Sequence, residues 1–362
     1  MKKNILFFLP VFIHGGAGNA ISRMCKQLNK SKYNLYIISI GKCSYKKELK
    51  KHIKKFYELR TNRAIYSIFK LRKIINKFKN DGNNIFVSNI NYANVITILA
   101  LRKFSNLKII LTERTAIKEL DIYFGLKDLI KKKITKFLVR FLYRKANVII
   151  TNSKKSTEDL KKLCKANVKT IHSPAFIKFK NKIRVKNNVK KLLSVGRLSK
   201  EKGYETLVHA VNLVRDKNFV LDIIGDGNQK NYLKRLIKKL KLENKIFLKG
   251  YKKNPDKYFK KADLYINCSF FEGFPNSVVE ALSFNIPVIC TKSHGGINEI
   301  ISNGKGGYFF EAGKPTQLAE LINKFLKDKK IFLKKTDYAK NKILEFNTLK
   351  CVNSYEKIFQ KL

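Results

Sequence analysis

The chain has 362 residues, enough for two domains that each bury a core of their own. Hydrophobic residues make up 44% of it and aromatics 12%, which excludes a disordered or fibrous chain. Against 26 acidic residues stand 78 basic ones, a formal charge of +52. Such an excess either spreads over every solvated face or implies an anionic partner: nucleic acid, acidic lipid headgroups or a polyphosphate ligand.

The opening, MKKNILFFLPVFI, has the two lysines and apolar run of a signal peptide. Pro10 breaks the run, however, and His14-Gly15-Gly16-Ala17-Gly18 follows it. A buried strand from Ile5 to Leu9, a ligand loop and a helix to about Asn29 fit better. No stretch reaches the roughly 18 uninterrupted apolar residues of a membrane span, so the chain is expected to be soluble or peripheral. YNLYIISI is the next expected strand, and AIYSIFKLRKIINKFK is helical. NNIFVSNI (strand), NVITILALRK (helix) and LKIILTER (strand, then a polar loop) follow. NVIITNS leads into the helix KKSTEDLKKLC, and VKTIHSP closes this half. His52 and His209 read as ordinary helix residues, and His172 as positional.

Residues 181–190, NKIRVKNNVK, are polar and non-periodic, which makes them the linker between domains 1–180 and 191–345. The second half repeats strand, loop and helix in KLLSVGRLSKEKGYETLVHAV, in FVLDIIGDGNQKNYLKRLIKKL and in KIFLKGYKKNPDKYFKKA. GGYFFEAGKPTQLAELINKFL is the last such unit, and the tail from about Tyr338 is helical. This alternation predicts an α/β fold of two doubly wound parallel sheets. The six cysteines are scattered without a C-x-x-C pair or histidines at metal spacing, as in a reduced, cytoplasmic chain without a structural metal.

The most informative stretch is 263–299, DLYINCSFFEGFPNSVVEALSFNIPVICTKSHGGINEII. It reads as two strand–loop–helix units in tandem, each loop opening onto a helix N-terminus that favours an anion. Glu272, Glu280 and Glu299 sit there in a chain short of acids. An ionised carboxylate accepts from two neighbouring hydroxyls at once, which suits sugar and ribose diols. The pattern E-x7-E in EGFPNSVVEAL, followed by PVI and GG-x-x-E-I-I, resembles the donor site of the large retaining glycosyltransferase family of GT-B architecture (family 4, glycosyl transferases group 1).

That resemblance implies two Rossmann-like doubly wound domains facing a cleft, with the C-terminal helix 346–362 packing back on the N-terminal domain. It also implies the site. Glu272 would contact the transferred sugar and Glu280 the ribose, while Phe274, Pro275, Asn276 and Ser277 would line sugar and diphosphate. Gly295, Gly296 and Glu299 would complete the donor pocket, with Gly225 of GDGN near the base and Gly16 near the phosphates. Arg197 follows a strand in VGRLSKEKG and Lys202 stands five residues on; by resemblance both hold the leaving diphosphate, one as a planar fork and one as a point charge. Gly15 and the pair Glu113-Arg114 are candidates for contact with acceptor or donor sugar, although Glu113 and Arg114 fit a structural ion pair equally well. Catalysis would be electrostatic, with retained configuration, no metal and no cofactor beyond the substrate nucleotide sugar.

In 127–146, KDLIKKKITKFLVRFLYRKA, the residues Ile130, Ile134, Phe137, Leu138, Phe141 and Leu142 are expected on one helical face. Either that face packs in the core or it lies among anionic headgroups. The whole predicts transfer of a hexose or N-acetylhexosamine from a UDP-sugar to a lipid-linked oligosaccharide, lipopolysaccharide or other surface glycan at the inner face of the cell membrane. Nucleic acid is not an expected partner: a basic nucleic-acid-binding protein is the alternative, but no module for that task is present. A glycoside hydrolase built on the paired acids is a third reading.

Overall fold

The computed structural model describes residues 2–12, 15–61, 64–123, 125–182, 189–216 and 218–362. His14 and positions 183–188 of the expected linker lie outside them. The chain divides into two units, Met1–Pro174 with Thr348–Leu362, and Ala175–Asn347. The division falls earlier than the expected boundary at 180, for a packing reason: Ala175 and Phe176 belong to the second unit's core, and the Phe176 amide donates to the Phe346 carbonyl at 3.1 Å.

The first unit runs β1 (Lys3–Phe8), α1 (Gly16–Gln27), β2 (Tyr33–Ser39), α2 (Lys46–Leu49) and β3 (Lys55–Glu58). Then come α3 (Ser67–Asn76), β4 (Asn84–Asn89), α4 (Asn91–Leu101) and β5 (Leu107–Glu113). α5 (Leu126–Leu142), β6 (Val148–Thr151), α6 (Lys154–Cys164) and β7 (Val168–Thr170) complete it. All seven strands pair in parallel in the order β3-β2-β1-β4-β5-β6-β7. Both sheet faces are covered, which is why the central strands read as continuous apolar runs. In β1, Leu6 and Phe8 enter the core beneath α3, α4, α5 and α6, whereas Ile5 and Phe7 enter the core on the other face, beneath α1. The edge strand β3 has no counterpart in the sequence reading, because its four residues KFYE are at most half-buried and carry no apolar run. His52 lies in the turn after α2 rather than in a helix.

The second unit comprises β8 (Lys190–Val195), α7 (Tyr204–Leu213), β9 (Phe219–Ile224), α8 (Lys230–Lys239), β10 (Ile246–Leu248) and α9 (Asp256–Phe259). It continues with β11 (Leu264–Asn267), α10 (Asn276–Ser283), β12 (Val288–Thr291), α11 (Ile297–Ile300), β13 (Tyr308–Phe310), α12 (Pro315–Lys327) and α13 (Lys329–Ile343). Its six parallel strands are ordered β10-β9-β8-β11-β12-β13. A last helix, α14 (Thr348–Lys361), returns to the first unit and buries Cys351, Val352, Tyr355, Ile358 and Phe359 in the core beneath α1. Each sheet reverses its strand order once, at β1/β4 and at β8/β11. Outside the carboxyl ends of the strands at such a reversal, the neighbouring loops part and leave a crevice for a ligand.

Candidate active site

The reversal in the second unit selects two loops, one after β8 and one after β11. They carry Arg197 and Lys202 on the first and Glu272 on the second. Lys202 Nζ lies 2.5 Å from Glu272 Oε1, both side chains being largely buried. Ser269 Oγ donates to the same carboxylate oxygen at 2.8 Å, and Thr291 Oγ1 donates to the Ser269 carbonyl at 2.5 Å. The loops are also joined through the backbone, where the Phe270 amide donates to the Glu201 carbonyl at 2.9 Å. Arg197 is exposed and its guanidinium has no hydrogen bond or ion pair among the described residues. The site therefore combines a neutralised cation–carboxylate pair with a second cation open to solvent.

The diglycine clasps this arrangement. At Gly295 φ is +115°, and a Cβ there would lie 1.7 Å from the Glu272 carbonyl oxygen. A Cβ on Gly296 would lie 2.5 Å from Phe274 Cδ2, and the Gly296 amide donates to the Gly273 carbonyl at 2.8 Å. Phe271 and His294 form a parallel bridge beside it. Only a residue without a side chain lets the loop after β12 come this close to the loop that carries Glu272. Gly225 serves the same end after β9: with φ +156°, its Cβ would be 1.8 Å from the Gly196 carbonyl. The Leu198 amide donates to the Asp226 carbonyl at 3.0 Å, which ties the Arg197 loop to the GDGN loop.

Phe274 and Pro275 are buried, Phe274 edge-on to Phe346 with ring centroids 5.0 Å apart. Asn276 begins α10, whose N-terminus has no side-chain cap, so its first-turn amides are free of that competitor. The buried Asn276 Oδ1 has no hydrogen-bond partner among the described residues. Ser277 Oγ accepts from Tyr265 OH at 2.7 Å. Burial lifts the Tyr265 and Tyr204 hydroxyls well above the usual phenol range, so both stay protonated beneath the loops. Glu280 is half-buried on α10 and Glu299 half-buried on α11, a helix of a single turn.

In the first unit, Gly15 precedes α1 and Gly16 begins it, again with no side-chain cap. Glu113 and Arg114 do not form the structural ion pair that was one of the two expectations for them, since each has other partners. Glu113 is only 1% exposed, accepting from Tyr143 OH at 2.8 Å and from Thr115 Oγ1 at 3.3 Å. Burial, reinforced by Glu119 and opposed by those hydrogen bonds, lifts its carboxyl to about 7. Arg114 Nε donates instead to Asn89 Oδ1 at 2.9 Å. β5 ends at Glu113, whose side chain turns into the core, while Arg114 opens the loop that follows.

Ser269 and Thr291 were not singled out from the sequence. The spacing Ser-x-x-Glu from 269 to 272 is the one signal that points to the first. Among the described residues, no group of three or more His, Cys, Asp or Glu stands close enough to hold a metal ion.

Two parallel doubly wound sheets, with cation and carboxylate loops at the reversal of the second, define a two-domain protein of Rossmann-like architecture. Residues 176–343 match the family described as glycosyl transferases group 1, and residues 14–175 the one described as glycosyltransferase family 4. The N-acetylgalactosamine-N,N'-diacetylbacillosaminyl-diphospho-undecaprenol 4-alpha-N-acetylgalactosaminyltransferase of Campylobacter jejuni is 30% identical over 290 residues, covering 78% of this chain and 76% of the relative. An uncharacterized glycosyltransferase of Methanocaldococcus jannaschii is 31% identical over 64% of this chain, and the match spans 61% of that relative's length. Among solved structures, an Anabaena protein crystallised with UDP and glucose superposes with a TM-score of 0.81 at 18% identity, covering 99% of this chain and all of its own. The chain belongs to this glycosyltransferase family and has its two-domain fold.

Proposed function

We propose that the protein is a retaining transferase that moves a hexose or N-acetylhexosamine from a UDP-sugar to a lipid-linked oligosaccharide or related surface glycan. The observation that carries the reading is the Lys202–Glu272 pair beside the open Arg197, placed at the carboxyl ends of β8 and β11. The Campylobacter relative's name specifies a saccharide on diphospho-undecaprenol, and the Anabaena structure holds UDP, which supports the same substrate classes here. The second unit takes the donor and the first unit the acceptor.

In this mechanism the donor's diphosphate displaces Lys202 from Glu272. Lys202 and Arg197 then face the phosphate oxygens, together with the uncapped amides of α10, and Glu272 accepts from hydroxyls of the sugar. Glu280 accepts from the ribose diol. As the bond from the anomeric carbon to the phosphate oxygen breaks, negative charge grows on the diphosphate, and these fixed cations stabilise it without reorganising. The acceptor hydroxyl attacks the face that the phosphate is leaving and passes its proton to a departing phosphate oxygen, so configuration is retained and UDP is released. The chain's own cations fill the role a metal would have, and no cofactor is assigned.

Arg197→Ala and Glu280→Ala are each expected to slow transfer by about 10²–10³-fold while staying folded. A panel of nucleotide sugars scored by protection from heat unfolding identifies the donor, since a ligand of the native state raises its melting point. Full turnover in either variant, or no protection by any UDP compound, overturns the reading. No helix among the described residues is long and apolar enough to cross a membrane. The diphospho-undecaprenol in the Campylobacter relative's name supports a place for the enzyme as a peripheral protein on the cytoplasmic side of an anionic membrane, where such an acceptor presents its glycan.

A further inference from the structure

α5 has two apolar faces rather than the single one that its sequence suggests. Val139 is fully buried, and Leu138 and Leu142 pack against the core beneath it. On the side of the helix away from Val139, Ile130, Ile134, Phe137 and Phe141 form a stripe at spacings of four, three and four that stays exposed among the described residues. Phe137 and Phe141 touch each other, ring centroids 4.8 Å apart, and do not turn inward. The neighbouring helices of the layer also expose apolar side chains. α4 packs against both α3 and α5, with Leu99 exposed on α4 and Phe69 exposed on α3. Exposure of these six side chains runs from 37% at Leu99 to 74% at Phe69.

Charge frames the patch. From 126 to 146 the sequence has eight basic residues and one acid, Asp128, which pairs with Lys132 at 3.2 Å. Lys127, Lys131, Lys133 and Arg140 have no ion pair among the described residues, and the guanidinium carbons of Arg140 and Arg144 stand 6.0 and 5.9 Å from the centre of the Phe141 ring. Exposed side chains that project from the outside of a helix layer make a surface to sink into a soft apolar medium rather than one that grips a peptide. The basic residues around them suit a boundary that is apolar within and anionic at its rim. A second copy would set like charge against like.

We infer that the outer face of α3, α4 and α5 docks on the headgroup region of an anionic bilayer, with Phe137 and Phe141 inserted between acyl chains. This deepens the peripheral placement proposed above, and it is tested without donor or acceptor. Because the chain contains no tryptophan, Phe137→Trp reports insertion against a silent background. With phosphatidylcholine vesicles containing phosphatidylglycerol, that variant is expected to shift its emission to the blue. With phosphatidylcholine alone it should not shift. A Phe137→Glu/Phe141→Glu double variant should co-sediment with the anionic vesicles at least about tenfold less than the unaltered protein, since each phenylalanine's burial is lost. It should melt at the same temperature, because both side chains are already exposed. Protection by UDP, read on the same variant, reports the donor site separately, so loss of one does not imply loss of the other. Equal co-sedimentation of variant and parent overturns the inference. So does an unshifted emission, and so does dissociation of a self-associated parent by the double substitution.

Discussion

At the level of single residues, the sharpest constraint is Gly295. Replacement by alanine would drive a Cβ to 1.7 Å from the Glu272 carbonyl at a φ of +115°, a clash of backbone against backbone that no rotamer relieves. Gly295→Ala is expected to cost about 2–4 kcal/mol in denaturant unfolding of the second unit. Gly250→Ala is the control, since at φ +69° it meets nothing within 4 Å and should cost only about 1 kcal/mol. The diglycine was legible in the sequence as part of a donor motif, but its partner was not, because backbone approach leaves no periodic trace. Glu113 is the second residue with a measurable signature. It titrates near 4.5 when unfolded and at about 7 when folded, so between those values the folded state binds the extra proton. Stability is then highest below the lower value and falls as pH rises through about 7. Glu113→Gln keeps an acceptor for Tyr143 and removes the titration. Relative to the parent it should gain about 3 kcal/mol between about pH 4 and about pH 8, read from denaturation midpoints across that range. Parallel pH curves would show that the carboxyl is not buried as described.

Among the elements, two helices are closed at the N-terminus by a side chain. α6 is closed by Ser153, whose Oγ accepts from the Ser156 amide at 3.2 Å. α13 is closed by Asp328, which accepts from the Lys330 amide at 2.8 Å. α1, α7 and α10, which follow strands at the two order reversals, have no side-chain cap. Ser153→Ala should therefore cost about 1 kcal/mol in unfolding of the first unit and leave donor protection of the second unchanged. Long elements such as α5 and α12 were legible from their 3.6-residue period. The one-turn α11 was legible as well, through the diglycine loop that opens onto INEII, whereas the edge strand β3 was not, since four residues are too few for a period to register. α5 shows the limit from the other side. Its period predicts a helix with six apolar positions on one face, whereas Leu138 and Leu142 pack inward and the other four point to solvent.

For the molecule as a whole, the division of the chain is the dominant fact. The second unit is one continuous segment, whereas the first joins residues up to Pro174 with Thr348–Leu362. Phe359 is fully buried in the first unit, and Lys3 Nζ donates to its carbonyl at 2.7 Å. Phe359→Ala should lower that unit's stability by about 3–5 kcal/mol. In a denaturant titration the transition of the first unit should move down and that of the second, identified as the one UDP shifts, should stay in place. A shared shift of both transitions would mean that the two units unfold together.

The same division dictates an order of events at the ribosome. The seven strands of the first unit emerge early, but the helix that seals one side of them emerges only after the whole second unit has been made. That second unit has all its parts in hand sooner and can be finished first. Until α14 arrives, the apolar side chains of β1, β2 and α1 that it covers are left wet, and this nascent interval is when the chain most needs a chaperone's shelter.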